Sequence, residues 1–306
     1  MSLTFASRFA ASQRWADPLA ARLQPLIRRA VSPPPIRNFL DGVWLGAPLH
    51  PALTDVPVGA WTTALLLDGG SVLSGDEALG AAADRALAVG TIAAVPAAVT
   101  GLNDLRDLVG QSRRIAMVHA LLNVVGLSLS TASLAYRHAG RRGLARGLSG
   151  LGFLTSSTAA HLGGKLSFAL GVRVNRTVGQ PVPDAFVAVL DAAELQGDEL
   201  HRVEVDGVPV LLTRSQTGEV CALANTCTHL GGPLAEGSRD GDTVTCPWHG
   251  SRFDLRTGAV VEGPAVFVQP RLEARVREDK IEIGFPTAAG AELPELANLK
   301  APAPPG

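Results

Sequence analysis

Residues 115–136, IAMVHALLNVVGLSLSTASLAY, run for 22 positions without a formal charge. Crossing about 30 Å of hydrocarbon takes roughly twenty apolar residues in a helix. This stretch is long enough to do so, and it constrains the fold more than any other feature of the chain. The apolar excess is concentrated between about positions 49 and 164, and the rest has ordinary soluble character. Three further spans are expected there, over about 49–73, 86–102 and 144–164. Asp55 and Asp68 interrupt the first. Pro96 kinks the second without ending it, since neighbouring helices can satisfy the freed carbonyl. The last is rich in Gly and Ser, with Gly143 and Gly147 spaced for close helix contact. The expected N-terminal fold is an all-α four-helix transmembrane bundle over 48–165.

Arg28, Arg29 and Arg37 precede the first span, Arg106, Arg113 and Arg114 lie between the second and third, and Lys165, Arg173 and Arg176 follow the fourth. The positive-inside rule then puts both chain ends in the cytoplasm of a multi-pass protein of the inner (plasma) membrane. Arg137, Arg141, Arg142 and Arg146 in the last hairpin argue the other way. Residues 1–47 form a basic, partly amphipathic arm without the continuous apolar core of a cleaved signal peptide. Two readings of this arm stand open: an amphipathic helix on the lipid surface, broken by Pro18 and Pro25, or a disordered basic segment. A net charge of −1 gives no reason to expect a nucleic-acid partner.

Past position 165 the pattern changes to a connector, 166–181, and then to short alternating runs. HRVEVDGVPVLLT turns at Asp206-Gly207, a strong hairpin signal. RLEARVREDKIEIGF turns at Glu278 to Lys280. Many short strands and no strong helix predict a small antiparallel all-β domain over 182–286, followed by a tail, 287–306.

Within that domain lie Cys227-x-His229 and Cys246-x-x-His249, with sixteen residues between His229 and Cys246. A zinc site usually groups Cys with Cys and His with His. Here each loop supplies a mixed pair. A Rieske [2Fe-2S] centre puts two thiolates on one iron and two imidazoles on the other, so two loops gripping it from opposite sides would each carry one of each. Gly231, Gly232, Pro233, Pro247 and Gly250 let both loops turn tightly.

CTHLGG and CPWHGSRFD resemble the two signature loops of the Rieske family in its ferredoxin form. The resemblance implies a one-electron [2Fe-2S] carrier ligated by Cys227, His229, Cys246 and His249, with both histidines at an exposed tip and both thiolates deeper. High-potential members add a disulfide at the positions of Gly232 and Trp248, where none can form here. They also use a Ser and a Tyr hydroxyl as donors to sulfur. Ser251 keeps the first and Phe253 lacks the second, which implies the lower part of a range of about −150 to +300 mV. The third cysteine, Cys221, reads as a small buried hydrophobe in a strand. Only 57 residues follow His249, none of them His. The two-His-one-carboxylate iron of an oxygenase is therefore not expected.

HPALTDVPVGAW (50–61) and AAHLGGKLSFALGV (159–172) resemble an uncharacterised bacterial membrane family, domain of unknown function number 2231. In an up-down bundle His50, His119 and His161 fall at one end, which is also the end from which the β domain emerges. Asp55 lies one to two turns into the first span, and Asn123 shares the helix face of His119. Polar groups at such depth are functional candidates. They leave three readings open: haem b between two histidines with His119 the firmest ligand, a quinone hydrogen-bonded among His, Asp and Asn, or groups that satisfy one another. The expected function is membrane-tethered transfer of single electrons between a soluble donor or acceptor protein and a membrane carrier, haem or the quinone pool. The alternative is a redox sensor or scaffold whose helices only anchor or bind a partner.

Overall fold

The computed structural model describes residues 5–181 and 185–284. The expected tail and the last residues of the β domain lie outside that range. The chain divides into two compact units after Val172.

The first unit opens with three helices, α1 (Phe5–Ser12), α2 (Ala16–Ala30) and α3 (Pro34–Asp41). α2 runs through both Pro18 and Pro25, which the sequence suggested would break it. Pro18 sits in the first turn, where its missing N–H has no intrahelical partner to lose. Tertiary contacts hold the rest of α2. Ala16, Ala20 and Ile27 pack with Leu105, Leu108 and Ile115. Gln24 Nε2 donates to the carbonyls of Leu105 (2.9 Å) and Leu108 (2.8 Å). Asp17 pairs with Arg113 and Arg114, each at 2.7 Å.

Four long helices follow: α4 (Leu49–Ser74), α5 (Glu77–Leu105), α6 (Gly110–His138) and α7 (Arg142–Phe168). α5 begins at an Asp76 cap, whose carboxylate accepts from the Ala78 amide, and continues through Pro96. Among the described residues, α4, α5 and α6 are long and apolar enough to cross a membrane by length and composition. α7 is as long, but its Arg, Gly and Ser lower its apolarity.

Small residues recur along the buried faces at spacings of three and four. On α5 they are Gly80, Ala83, Gly90, Ala94 and Ala97, and on α7 Ala145, Ser149, Gly152, Ser156 and Ala159. Such faces let helix backbones approach closely. A β-carbon on Gly126 would lie 2.1 Å from Ser156 Oγ, so the α6–α7 contact passes there. Gly143 and Gly147, expected to favour close helix contact, have no atom within 4 Å of a β-carbon.

The bundle is inverted relative to a water-soluble one. Large apolar side chains point outward, among them Leu66, Leu73 (91% exposed), Ile92, Val95 and Leu154. Charged groups point inward. Buried Arg137 contacts Asp68 and Asp84, and Arg142 and Arg146 join the same carboxylates. At another site Arg106 pairs with Asp41 (2.8 Å) and contacts Asn103. Arg137 is thus a buried partner of two aspartates and not a free loop charge, as its place in the sequence suggested.

The second unit is antiparallel. One sheet contains β1 (Val187–Asp191), β10 (Lys280–Gly284), β9 (Arg271–Arg277), β4 (Val220–Ala224), β3 (Val208–Arg214) and β2 (His201–Val205), in that order. The other contains β5 (Ser238–Asp240), β6 (Thr243–Thr245), β7 (Arg252–Asp254) and β8 (Val260–Glu262). The expected hairpins form with two-residue turns. Asp206 (φ 49°) and Gly207 (φ 79°) join β2 to β3, and Glu278 (φ 50°) and Asp279 (φ 62°) join β9 to β10. Two left-handed residues in succession match the right-handed twist of paired strands.

Candidate metal centre

The loop after β4 carries Cys227 and His229, and the loop after β6 carries Cys246 and His249. The two loops are built alike. In each, the Cys amide donates to the carbonyl five residues on, Gly232 (2.8 Å) in one and Ser251 (2.8 Å) in the other. In each, the amide four residues on, Gly231 or Gly250, donates back to the Cys carbonyl, at 2.9 and 3.1 Å. Those two glycines have φ of +87° and +75°, a conformation costly for residues with a side chain. The amides two and three residues on then point at sulfur: His229 and Leu230 at Cys227, Trp248 and His249 at Cys246. The histidine is simply the second residue on in one loop and the third in the other.

The donors meet as two like pairs. The Cys227 and Cys246 thiols hydrogen-bond each other. The His229 and His249 rings lie edge to face with centres 5.1 Å apart. Among the described residues no three His, Cys, Asp or Glu side chains gather to hold one ion. Two sulfurs together and two imidazoles together are the donor set that a [2Fe-2S] cluster with unlike irons requires. The residues fit the group.

The hydrogen bond from Cys227, with the Trp248 and His249 amides, lowers Cys246 to about 7 against the opposing effect of burial. Cys227 moves up, first as the donor in that bond and then through burial. The same amides would stabilise thiolate charge toward iron. Cys221, buried on β4, is raised to about 11 chiefly by burial, as befits an unreactive core thiol.

Both thiols are deep, but the histidines differ. His229 is 7% exposed and His249 half-buried, so the expectation of two histidines at an exposed tip holds only for His249. Beside it Trp248 is 56% exposed, its ring 6.4 Å from that of His249. Ser251 is fully buried, and its Oγ accepts from the Ala265 amide at 2.9 Å, which leaves its own proton for another acceptor. Phe253 is fully buried in a cluster with Cys227, Cys246 and Leu234.

Two supporting residues escaped the sequence reading. Gln269, wholly buried, donates to the carbonyls of Ala224 (2.6 Å) and Thr226 (2.7 Å) and accepts from the Thr228 amide (3.1 Å). Asn225 accepts from the Ala235 amide at 2.7 Å. Both fix the first loop from outside. A polar residue in the apolar run VFVQP was the available signal for Gln269.

In the helical unit, His50, His119 and Asn123 come together. The His50 and His119 rings are perpendicular with centres 6.2 Å apart, and Asn123 Nδ2 lies 3.2 Å from His119 Nε2. Asp55 and His161, expected with them, are exposed on their helices. A helix repeats every 3.6 residues, so their positions turn away from the face that carries the others.

Residues 185–272 match the Rieske [2Fe-2S] domain, and residues 46–176 match Predicted membrane protein (DUF2231). Ferredoxin CarAc of Metapseudomonas resinovorans is 30% identical over 98 residues, 32% of this chain and 92% of its own length. Human apoptosis-inducing factor 3 is 30% identical over 96 residues, 31% of this chain. The chain spans only 16% of that relative's length. The solved ferredoxin of carbazole 1,9a-dioxygenase from Nocardioides aromaticivorans IC177 is 28% identical, with a TM-score of 0.32, over 33% of this chain and 99% of its own. A Rieske domain implies a [2Fe-2S] cluster and an iron–sulfur electron-transfer role. The two family matches and the likeness to Ferredoxin CarAc make the chain a member of the Rieske [2Fe-2S] family, fused to a DUF2231 membrane-protein domain.

Proposed function

We propose that the protein carries single electrons between a soluble redox protein and a carrier dissolved in the membrane. Cys227 and Cys246 would hold one iron of the cluster, and His229 and His249 the other. The cluster supplies the one-electron storage. The protein residues bind it, neutralise thiolate charge through four amides, and leave the His249–Trp248 edge open to a partner. The equivalence of the two loops carries this reading, because it gives each iron a pair of like ligands. The inverted bundle supports anchoring by α4–α7 in the plasma (inner) membrane of the cell. The charge pattern of the loops supports a cytoplasmic Rieske domain.

Of the two membrane carriers, quinone fits the bundle better than haem. An axial histidine must present a ring nitrogen to iron. In His119 the bond from Nδ1 to the Ala159 carbonyl leaves Nε2 as the nitrogen for iron, and that atom already faces Asn123 Nδ2 at 3.2 Å.

The test is a reduced-minus-oxidised optical spectrum and an electron paramagnetic resonance spectrum of protein purified anaerobically in mild detergent. Rieske features without haem bands are expected, and they should vanish in His229→Cys and Cys246→Ala. Their persistence in either variant would defeat the ligand assignment. Sharp haem bands would replace quinone with haem. A reporter fused to the C-terminus should be active only in its cytoplasmic form.

A further inference from the structure

The two helical hairpins α4–α5 and α6–α7 repeat one device. In the first, His50 Nδ1 lies 2.8 Å from the Ala97 carbonyl, and the ring rests on Gly101, where a β-carbon would come within 2.8 Å of it. In the second, His119 Nδ1 lies 2.7 Å from the Ala159 carbonyl, and the ring rests on Gly163, where a β-carbon would come within 3.1 Å. The acceptor is in each case an alanine four residues before the glycine, in AAVTG (97–101) and AAHLG (159–163). A histidine from each hairpin thus reaches the same point, and the two rings meet perpendicular to each other.

This geometry settles the tautomers. A carbonyl only accepts, so both Nδ1 atoms carry hydrogen, and in the neutral rings both Nε2 atoms are acceptors. Asn123 satisfies that of His119. Among the described residues His50 Nε2 has no such neighbour, although the ring is half-buried near the start of α4. An acceptor held rigidly at the end of an apolar bundle, with one lone pair uncommitted, suits a ligand that donates a hydroxyl hydrogen and otherwise prefers lipid.

We propose that the His50–His119 pair is the hydroquinone-binding site of this protein, with His50 Nε2 accepting the hydrogen of one ring hydroxyl. His119, locked by Ala159 and Asn123, acts as a positioning residue whose ring holds that of His50 in place. The inference rests on the reading that the membrane carrier is a quinone. Oxidation of one hydroquinone releases two electrons and two protons. The electrons pass singly to two oxidised clusters, or to one cluster twice. The proton of the hydroxyl held by His50 goes to Nε2 and then to water at the bundle end, and the proton of the second hydroxyl goes to water directly. Reduction of a quinone runs the same transfers backward. The Nδ1–H bond to Ala97 is kept throughout, so the ring does not have to turn.

The test uses the full chain in lipid nanodiscs, with a fluorescent hydroxyquinoline N-oxide as a hydroxyl-bearing quinol analogue. Wild-type protein should quench one probe per chain. His50→Leu should weaken binding at least tenfold. Gly101→Ala, which displaces the ring without removing it, should do so as well, while both variants keep the Rieske spectrum. In stopped flow, both should slow electron exchange between the cluster and nanodisc quinone by a similar factor. Equal probe binding and equal rates in wild type and both variants would overturn the site and leave the electron-transfer reading intact. Loss of the Rieske spectrum in one variant leaves the other to decide. Should both lose it, His50→Gln decides: it retains a side-chain acceptor, so it should bind more tightly than His50→Leu measured by probe alone, and equal affinity would overturn the site. Cluster–quinone exchange absent from the wild type would defeat the underlying reading instead.

Discussion

A β-carbon on Gly232 would lie 2.7 Å from the Cys246 sulfur and 3.0 Å from the Trp248 ring, so the first loop leaves no room for a side chain where it faces the second. Gly232→Ala should force the loops apart and lower cluster occupancy. Iron and sulfide content per chain should fall by at least half, with Cys227, His229, Cys246 and His249 all unaltered. Full occupancy would mean that the loops can separate without cost to the site.

Ser251 and Phe253 should move the reduction potential in opposite directions. Hydrogen bonds to cluster sulfur favour the reduced form and raise the potential. Ser251→Ala removes a buried hydroxyl whose oxygen already accepts from Ala265. An ordinary hydrogen bond of about 1 kcal/mol corresponds to a fall of roughly 40 mV at about 59 mV per tenfold. Phe253→Tyr adds a hydroxyl in the cluster of residues that contains both cysteines and should raise the potential by a similar amount. Protein-film voltammetry reads both, and a shift of the same sign in the two variants would contradict the assignment.

Arg137 and Asp68 are both nearly inaccessible, their side chains 3% and 6% exposed. Removing one member of a buried pair costs about 3–5 kcal/mol where the remaining charge has no other partner, and less here, because Asp84 still contacts Arg137. Asp68→Asn should therefore lower the thermal unfolding midpoint of the bundle in detergent. Arg137→Met combined with Asp68→Leu should recover much of the loss, since apolar replacement of a whole buried pair is often neutral. Asp84 would still contact Arg142, while Arg146 would lose Asp68 but is partly exposed and keeps its bond to Ser71.

The Asp17 end of α2 should loosen from α6 in acid, while Gln24 and the apolar contacts keep the rest of α2 in place. Hydrogen bonds from Arg114 and Arg113 hold Asp17 at about 2, below its ordinary 3.8. A folded-state value below the unfolded one gives stability that is complete above about pH 4 and is lost as pH falls through about 2. Trp15 fluorescence, in a chain whose other tryptophans are replaced by Phe, should stay constant down to about pH 4 and then shift. Asp17→Asn should show the shifted emission already at neutral pH.

Much of the metal centre was legible because its determinants are local. Cys-x-His, Cys-x-x-His and the following glycines each lie within six residues, and backbone geometry at that range follows from residue type. The turns at Asp206-Gly207 and Glu278-Asp279 were legible for the same reason. The length of an uncharged run was likewise enough to mark α6 as a long apolar helix. The difference between His229 and His249 was not legible, since the burial of a ring depends on what the rest of the domain packs around it.

Only tertiary structure decided which polar groups in the helices meet. His50 is bonded to a carbonyl 47 positions away, and His119 to one 40 positions away. Arg137 reaches Asp68 across 69 positions and Asp84 across 53. Periodicity alone could group Asn123 with His119, four residues apart on one helix. It could not say that Asp55 and His161 turn away, that Arg137 faces inward, or that α2 is held through its prolines. Those outcomes depend on helix rotation and contact between distant segments. The sequence by itself determined a cluster-binding β domain behind a set of apolar helices, because spacing and length act within a single segment. The tertiary structure decided what the helices hold between them, because that is set by how separate segments pack.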